Sequence, residues 1–197
     1  MTRWGDRSDL LVGAYDWFAR QAAIGPNSRR SRRFASFGQG SIICFPPATL
    51  FGERAIRIGD GTIIAPNVSL SAGIGPDQEL LSDRIVEIGH RVLIGRGSSI
   101  VGHSNIVVED DVFFGPNVYV TDQNHGAESP DLPIGRQSAP EAPVRIGWGS
   151  WLGTNVAVMP GVTIGRRVSV GAGSVVTRDL PDDCVAVGAP ARVVESA

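Results

Sequence analysis

Between Ile146 and Val176 an aliphatic residue recurs at every sixth position: Ile146, Leu152, Val158, Ile164, Val170 and Val176. Gly follows the aliphatic in four of these five units, as Gly147, Gly153, Gly165 and Gly171. The fourth residue after it is Ser150, Val156, Val162, Val168 or Ser174, always Val or Ser. The third is Gly149, Asn155, Gly161, Arg167 or Gly173. Gly and Asn are the residues that tolerate positive φ most readily. A period of six fits neither a helix nor an alternating strand. It fits a solenoid in which each unit is a short strand and a corner, three units closing one triangular coil. The aliphatic and the small fourth residue then point inward. The third residue turns the corner, and each strand pairs in parallel with its equivalents above and below.

The same register is faint at Phe37 and Ile43 and firm at Ile58, Ile64 and Leu70. It breaks over 71–87, where Pro76, Asp77 and Gln78 replace apolar residues, and resumes at Ile88, Ile94 and Ile100. After Ile100 it slips by two, continues at Val108, Phe114 and Val120, and breaks again over 121–145. Coil beginnings echo one another in Ile56-Arg-Ile-Gly59, Val86-Glu-Ile-Gly89 and Val144-Arg-Ile-Gly147. The breaks therefore read as excursions from one column, and loops of that length inside a compact domain are usually functional. The expected division is a helix and basic connector over 1–36 and the β-solenoid over 37–197, with loops 71–87 and 121–145. Leu10, Leu11, Ala14, Trp17 and Phe18 fall at helical spacing within 7–23, opposite Asp16 and Arg20. That helix reads as a cap over the open end of the column, since uncovered parallel edges invite aggregation. The competing reading lays it on a membrane surface. Arg29, Arg30, Arg32 and Arg33 form a basic run that is either solvated or in contact with anionic lipid or a charged glycan carrier.

Composition removes several classes of function. The net charge of −2 leaves no nucleic-acid footprint. All 18 basic residues are Arg, which excludes a Schiff-base lysine and a P-loop lysine. Cys44 and Cys184 stand far apart and read as reduced thiols of a cytoplasmic protein rather than a disulfide or metal pair. No stretch is long and apolar enough to span a membrane, and the start lacks the regions of a signal peptide.

The chain has three His. His90 sits at a turn position of its hexad and reads as solvated. His103 sits at the corner where the register slips, one coil below residues 121–126. His125 lies where the second excursion leaves the column, in Thr121-Asp122-Gln123-Asn124-His125-Gly126, with Asp122 and Asn124 as candidate orienting groups. An imidazole is the side chain best suited to take a hydroxyl proton near neutral pH.

These motifs carry a family resemblance. Thr121-Asp-Gln-Asn-His125, Pro143-Val-Arg-Ile-Gly, Trp151-Leu-Gly, Met159-Pro-Gly-Val-Thr-Ile-Gly, Gly171-Ala-Gly-Ser-Val-Val-Thr-Arg-Asp and Val187-Gly-Ala-Pro-Ala-Arg-Val span about residues 55–195. The chain resembles hexapeptide-repeat acyltransferases, which fold as left-handed parallel β-helices, and within them the sugar and polysaccharide O-acetyltransferases. The left-handed sense comes from the resemblance and departs from the usual right-handed crossover. The resemblance implies a homotrimer with acetyl-CoA in the groove between two prisms, His125 as general base, and direct transfer to a hydroxyl of a sugar or glycan. It also implies that Thr154, Ala172, Thr177, Arg178 and Arg192 line the path of the cofactor, with no metal required. Small residues let a pantetheine arm approach the strands, and the Arg fork suits phosphate; plain coil packing is the competing reading for Ala172 and Thr177. The galactoside and maltose branch carries Asn where this chain has Gly95, so its acceptor is not expected here.

Three other readings stay open. An N-acetyltransferase acting on an amino sugar or antibiotic would share the scaffold and the donor. A zinc hydratase of the γ-carbonic anhydrase kind needs three close-set His, which the spacing of His90, His103 and His125 does not supply. A structural or ice-binding solenoid would favour uninterrupted coils.

Overall fold

The computed structural model describes residues 4–76 and 79–196. Asp77 and Gln78, which break the hexad register, lie outside the described residues. The chain winds as three-sided coils. Their sides stack into one sheet of six strands, a second of eight and a third of six. The pairing is parallel throughout the column, and one coil reads Val144–Ile146, Trp151–Leu152, Ala157–Val158.

The hexad grammar accounts for this geometry position by position. Ile146, Leu152, Val158, Ile164, Val170 and Val176 all point inward and are fully buried. Each stacks on its equivalent in the neighbouring coil, as Ile146 on Ile164 and Leu152 on Val170. Gly149, Asn155, Gly161, Arg167 and Gly173 turn the corners at φ of 69°, 59°, 81°, 53° and 72°. Arg167, the exception to Gly or Asn, adopts the same left-handed conformation, and its guanidinium pairs with Asp183. The choice of Ser or Val at the fourth position also has a reason. Ser150 Oγ donates to the Gly165 carbonyl at 2.9 Å and accepts from the Val168 amide at 3.0 Å, so the hydroxyl bridges coils where Val would only fill space. Gly147 follows its aliphatic because coils pass so closely there that a Cβ would lie 2.5 Å from the Gly165 carbonyl oxygen.

The slip after Ile100 resolves into a strand of four residues, Ser99–Gly102, followed by an enlarged corner. Val108 then regains alignment with Ile88 below and Ile146 above. The excursions are narrower than the sequence suggests, because strands extend to Ala72 and Thr121 and begin again at Val86 and Val144.

The N-terminal helix, here α1, runs Trp4–Ala22 rather than 7–23. It does not cover the end of the column: Leu10 and Leu11 are each 73% exposed and Trp17 65%. Toward its C-terminal end Phe18 lies edge-on to Phe45 at 5.3 Å. The segment after the helix closes the first coil instead: buried Ile24 exchanges two 2.9 Å backbone hydrogen bonds with Ile43, and Phe34 packs against Phe37. At the other end, Cys184–Gly188 joins the second sheet and Ala191–Ser196 folds back antiparallel beside it.

Close coil approach gives a paired test. Gly147→Ala should cost about 1–3 kcal/mol through overpacking, read as a lower urea midpoint. Gly13→Ala, in the helix where a Cβ meets nothing within 4 Å, should be neutral or slightly stabilising. Equal midpoints for the two variants would refute the stacking argument.

Candidate active site

The second excursion leaves the column after Tyr119–Thr121 in the third sheet and returns at Val144–Ile146 in the first. Directly beneath its exit lies the enlarged corner at 103–105, because Val101 pairs with Thr121. The amides of that corner lie outside the regular ladder, and buried amides need partners. Asp122 supplies them. Its side chain is fully buried; Oδ1 accepts from the His103 amide at 2.8 Å, and Oδ2 accepts from the Ser104 and Asn105 amides at 2.8 and 2.7 Å. Its backbone carbonyl accepts from Ala142 on the returning stem at 2.9 Å. The carboxylate expected to orient His125 thus holds the corner below and forms no hydrogen bond with that imidazole.

The returning stem is tied a second time. His103, 8% exposed, places Nδ1 2.6 Å from Glu141 Oε1. A carboxylate only accepts, so Nδ1 carries the hydrogen. Nε2 is buried with no hydrogen-bond partner among the described residues. Asp122 and Glu141 therefore clamp both feet of the loop onto one corner.

His125 itself is exposed near the mouth of the loop. Its backbone forms an antiparallel bridge with Ser138, and the next amide, of Gly126, donates to the Gln137 carbonyl at 3.1 Å. Gln137 braces the far side: its side chain accepts from the Ser129 amide at 2.9 Å and donates to the Ser129 and Leu132 carbonyls at 2.9 and 2.8 Å. The imidazole Nδ1 lies 3.4 Å from the Gln137 carbonyl oxygen. A carbonyl cannot donate, so this contact favours hydrogen on Nδ1 and leaves the lone pair on Nε2 of an exposed ring. Asn124 Oδ1 accepts from the His125 amide at 2.9 Å and so shapes the backbone rather than the ring. His90, read as solvated, is half exposed and accepts the Asp60 amide on Nδ1 at 2.9 Å.

The residues expected along the cofactor path fall into separate groups. Thr154 and Ala172 share the corner between the second and third sheets, following Leu152 and Val170. They stack closely, for a Cβ on Gly153 would lie 2.7 Å from the Ala172 nitrogen, and the Thr154 carbonyl accepts from Gly173 at 2.8 Å. Thr177 and Arg178 are exposed and follow Val175–Val176, on the corner column that carries His125. Arg192 is exposed on the terminal hairpin, and Nη1 donates to the Ala191 carbonyl at 2.7 Å. Within one chain, the corner of Thr154 and Ala172 and the corner of His125 are opposite edges of the third sheet.

A family model for bacterial transferase hexapeptides matches residues 143–178, and one for the hexapeptide repeat of succinyl-transferase matches 85–122. Together they bracket the loop. The chain belongs to the hexapeptide-repeat transferase family. Over 161 residues this hexapeptide-repeat chain is 29% identical to a putative lipopolysaccharide biosynthesis O-acetyl transferase, WbbJ, of Escherichia coli K12, covering 78% of each chain. Over 111 residues it is 38% identical to a probable acetyltransferase of Mycobacterium tuberculosis; the match covers 56% of this chain but spans only 37% of that relative's length. Among solved structures it superposes on a hexapeptide-repeat acetyltransferase of Vibrio cholerae complexed with acetyl coenzyme A, with a TM-score of 0.58, 27% identity and 85% and 73% of the two chains covered.

A hollow of the hexapeptide-repeat column lies elsewhere. About 850 Å³ in volume, it runs over the outer side of the first sheet past Arg57, Glu87, Glu109, Arg145 and Trp148. None of the predicted site residues lines it, and its Arg145 is paired with Glu109. Sequence reasoning missed three residues of the loop architecture: Gln137, Glu141 and the tie made by His103. Only His103 had left a signal, the two-residue slip beside it.

The clamp gives a prediction that needs no activity assay. Glu141→Ala and His103→Ala should speed amide hydrogen exchange across 123–138 by about tenfold or more, an opening free-energy change of about 1.4 kcal/mol, the scale of a hydrogen bond to a charged group. His103→Asn, which keeps a donor where Nδ1 stands, should exchange like the parent. Protection unchanged in both Ala variants would dismiss the clamp.

Proposed function

We propose that this hexapeptide-repeat chain is an acetyl-CoA-dependent O-acetyltransferase acting on a sugar or glycan hydroxyl in the cytoplasm, with His125 as general base. The observation that carries the reading is the contact of exposed His125, through Nδ1, with the Gln137 carbonyl, which leaves the lone pair on Nε2. Nε2 takes the proton of the acceptor hydroxyl as its oxygen attacks the thioester carbonyl. The imidazolium then returns the proton to the departing thiolate. Transfer is direct, because neither thiol is set up as a nucleophile: burial raises the Cys44 pKa, and burial followed by the nearby Asp182 and Asp183 raises that of Cys184. Relatedness to an E. coli O-acetyl transferase of lipopolysaccharide biosynthesis supports a glycan acceptor.

In this reading residues 37–197 form a left-handed catalytic column and 1–36 an appended segment. Asp122 and Asn124 serve by shaping the loop backbone. Thr154 and Ala172 flank the pantetheine arm, while Arg178, Thr177 and Arg192 meet phosphate and nucleotide. Since Thr154 and Ala172 stand across a whole sheet from His125, one copy supplies the base and its neighbour part of the donor groove. The outer face of the second sheet offers the contact for this. Ile42, Ile63, Leu93, Phe113 and Trp151 are register partners in a single row, and Ile63, Phe113 and Trp151 are each about half exposed. Monomeric proteins seldom leave such apolar rows to water, and a trimer covers them.

The deciding experiment is an acceptor screen with acetyl-CoA, following free thiol release. Transfer to neutral glycans supports the reading, and transfer restricted to amino sugars would replace it with N-acetylation. His125→Ala should lower kcat by roughly 10²–10⁴-fold while CoA still binds; near-parental turnover would reject the base. Arg178→Ala should raise the KM for acetyl-CoA about tenfold with kcat little changed. Phe113→Glu with Trp151→Glu should convert a trimer to monomers by light scattering and abolish transfer.

A further inference from the structure

Helix α1 poses a problem that the transferase reading does not solve. Leu10, Leu11, Val12, Tyr15, Trp17 and Phe18 are each more than half exposed. On a helical projection they wrap more than half of the circumference, and Asp9, Asp16 and Arg20 fall within an arc of about 40° on the other side; Arg7 falls inside the apolar arc, where its long stem lets the guanidinium reach the headgroup level. The helix stands off the column, held at its C-terminal end by the Phe18–Phe45 contact. A face this apolar and this aromatic requires a partner.

Charge distribution identifies the partner. Residues 4–33 contain six Arg and three Asp, in a chain whose net charge is −2. Positive charge is thus concentrated in the segment that carries the apolar helix. Arg29, Arg30, Arg32 and Arg33 are all exposed, and among them Arg33 is paired, with Glu53 at 3.4 Å. Arg30 lines the same hollow as Ala22 and Ile24, which places the basic run beside the foot of the helix. An apolar helical face bearing Trp, Tyr and Leu next to an Arg cluster is the combination that seats a helix in the boundary layer of an anionic bilayer. Aromatic side chains such as Trp17 and Tyr15 favour that layer, and the cluster adds attraction to anionic headgroups. Among the described residues no helix is long and apolar enough to cross a membrane. A second copy of the chain has its own contact row on the second sheet and does not need this helix.

We propose that α1 and the Arg29–Arg33 run form a peripheral docking surface for an anionic lipid bilayer, the helix lying in the plane of the interface with its Leu10–Leu11–Trp17–Phe18 side inward. The attachment is reversible and has two parts, apolar insertion and headgroup attraction. It would hold the column at the surface where lipid-borne acceptors reside. That last consequence rests on the proposed activity; the docking itself does not.

Sedimentation of the 197-residue chain with vesicles provides the test. Vesicles of equal parts phosphatidylglycerol and phosphatidylcholine should pull down the parent, and pure phosphatidylcholine vesicles should retain far less. Raising salt to about 0.5 M should release most of it, because headgroup attraction is screened. Each Arg near an anionic surface contributes roughly fivefold in partitioning, so replacing Arg29, Arg30 and Arg32 together by Gln should weaken binding roughly a hundredfold. Replacing Leu10, Leu11 and Trp17 by Ala should abolish binding while the melting temperature of the column stays put. Equal binding to both vesicle types, or none to either, would overturn the proposal. So would a drop in assembly mass on the triple Ala replacement, which would show the helix seated on a second copy. Loss of transfer in the His125→Ala variant with vesicle binding intact would leave both readings standing independently.

Discussion

The in-register stacking of inward aliphatics is the constraint on which the rest of this molecule depends. Parallel coils repeat at about 4.8 Å, the spacing of hydrogen-bonded strands. At that spacing every residue of one coil is committed to a partner in the next. Ile146 meets Ile164, Leu152 meets Val170, and a Cβ on Gly147 would strike the coil above. Such a column offers no interior room for a site. What remains for a site is the outer faces, the corners and whatever the corners extrude.

That confinement explains the loop at 122–143. A segment can leave the column only at a corner, and it must return without disturbing the register of the following coil. The outgoing and returning feet therefore have to be held to a common point. Asp122 and Glu141 do this through the 103–105 corner, one by three backbone amides and the other by the His103 ring. The two-residue slip in the hexad pattern marks the enlarged corner that makes this possible.

The same logic separates what the sequence disclosed from what it hid. Hexads are local, so periodicity alone located the inward aliphatics, the positive-φ corners and the fourth-position Ser or Val, including the odd corner at Arg167. His125 stood out because it sits at a break in that period. Its surroundings did not, since they are contacts across the loop: Gln137 lies twelve residues on, and Glu141 reaches back 38 residues to His103. No short-range pattern encodes such pairs. Asp122 misled for the opposite reason. Nearness in sequence to His125 suggested a shared task, yet the side chain turns down into the column. The helix misled in a similar way, because an apolar stripe announces that it will be covered without saying by what, and the end it was expected to cover is closed by Ile24 and Phe34.

A stiff column cannot close around a substrate as hinged domains do, so an acyl transfer performed on one must exclude water by other means. The exposed His125 has solvent on its outward side within a single copy. A base that takes a hydroxyl proton efficiently needs that solvent displaced, because water competes with the acceptor for both the lone pair and the thioester. Two surfaces would serve the purpose: the clamped loop itself and, in the proposed trimer, a neighbouring column set against the apolar row of the second sheet. The loop is braced by Gln137 and tied at both feet, which suits it to act as a fixed wall rather than a moving lid. In the proposed trimer the neighbouring column would provide the opposite wall. On the proposed reading, assembly would precede catalysis, and the loop, which the hexad period does not constrain, would form one wall of the acceptor site.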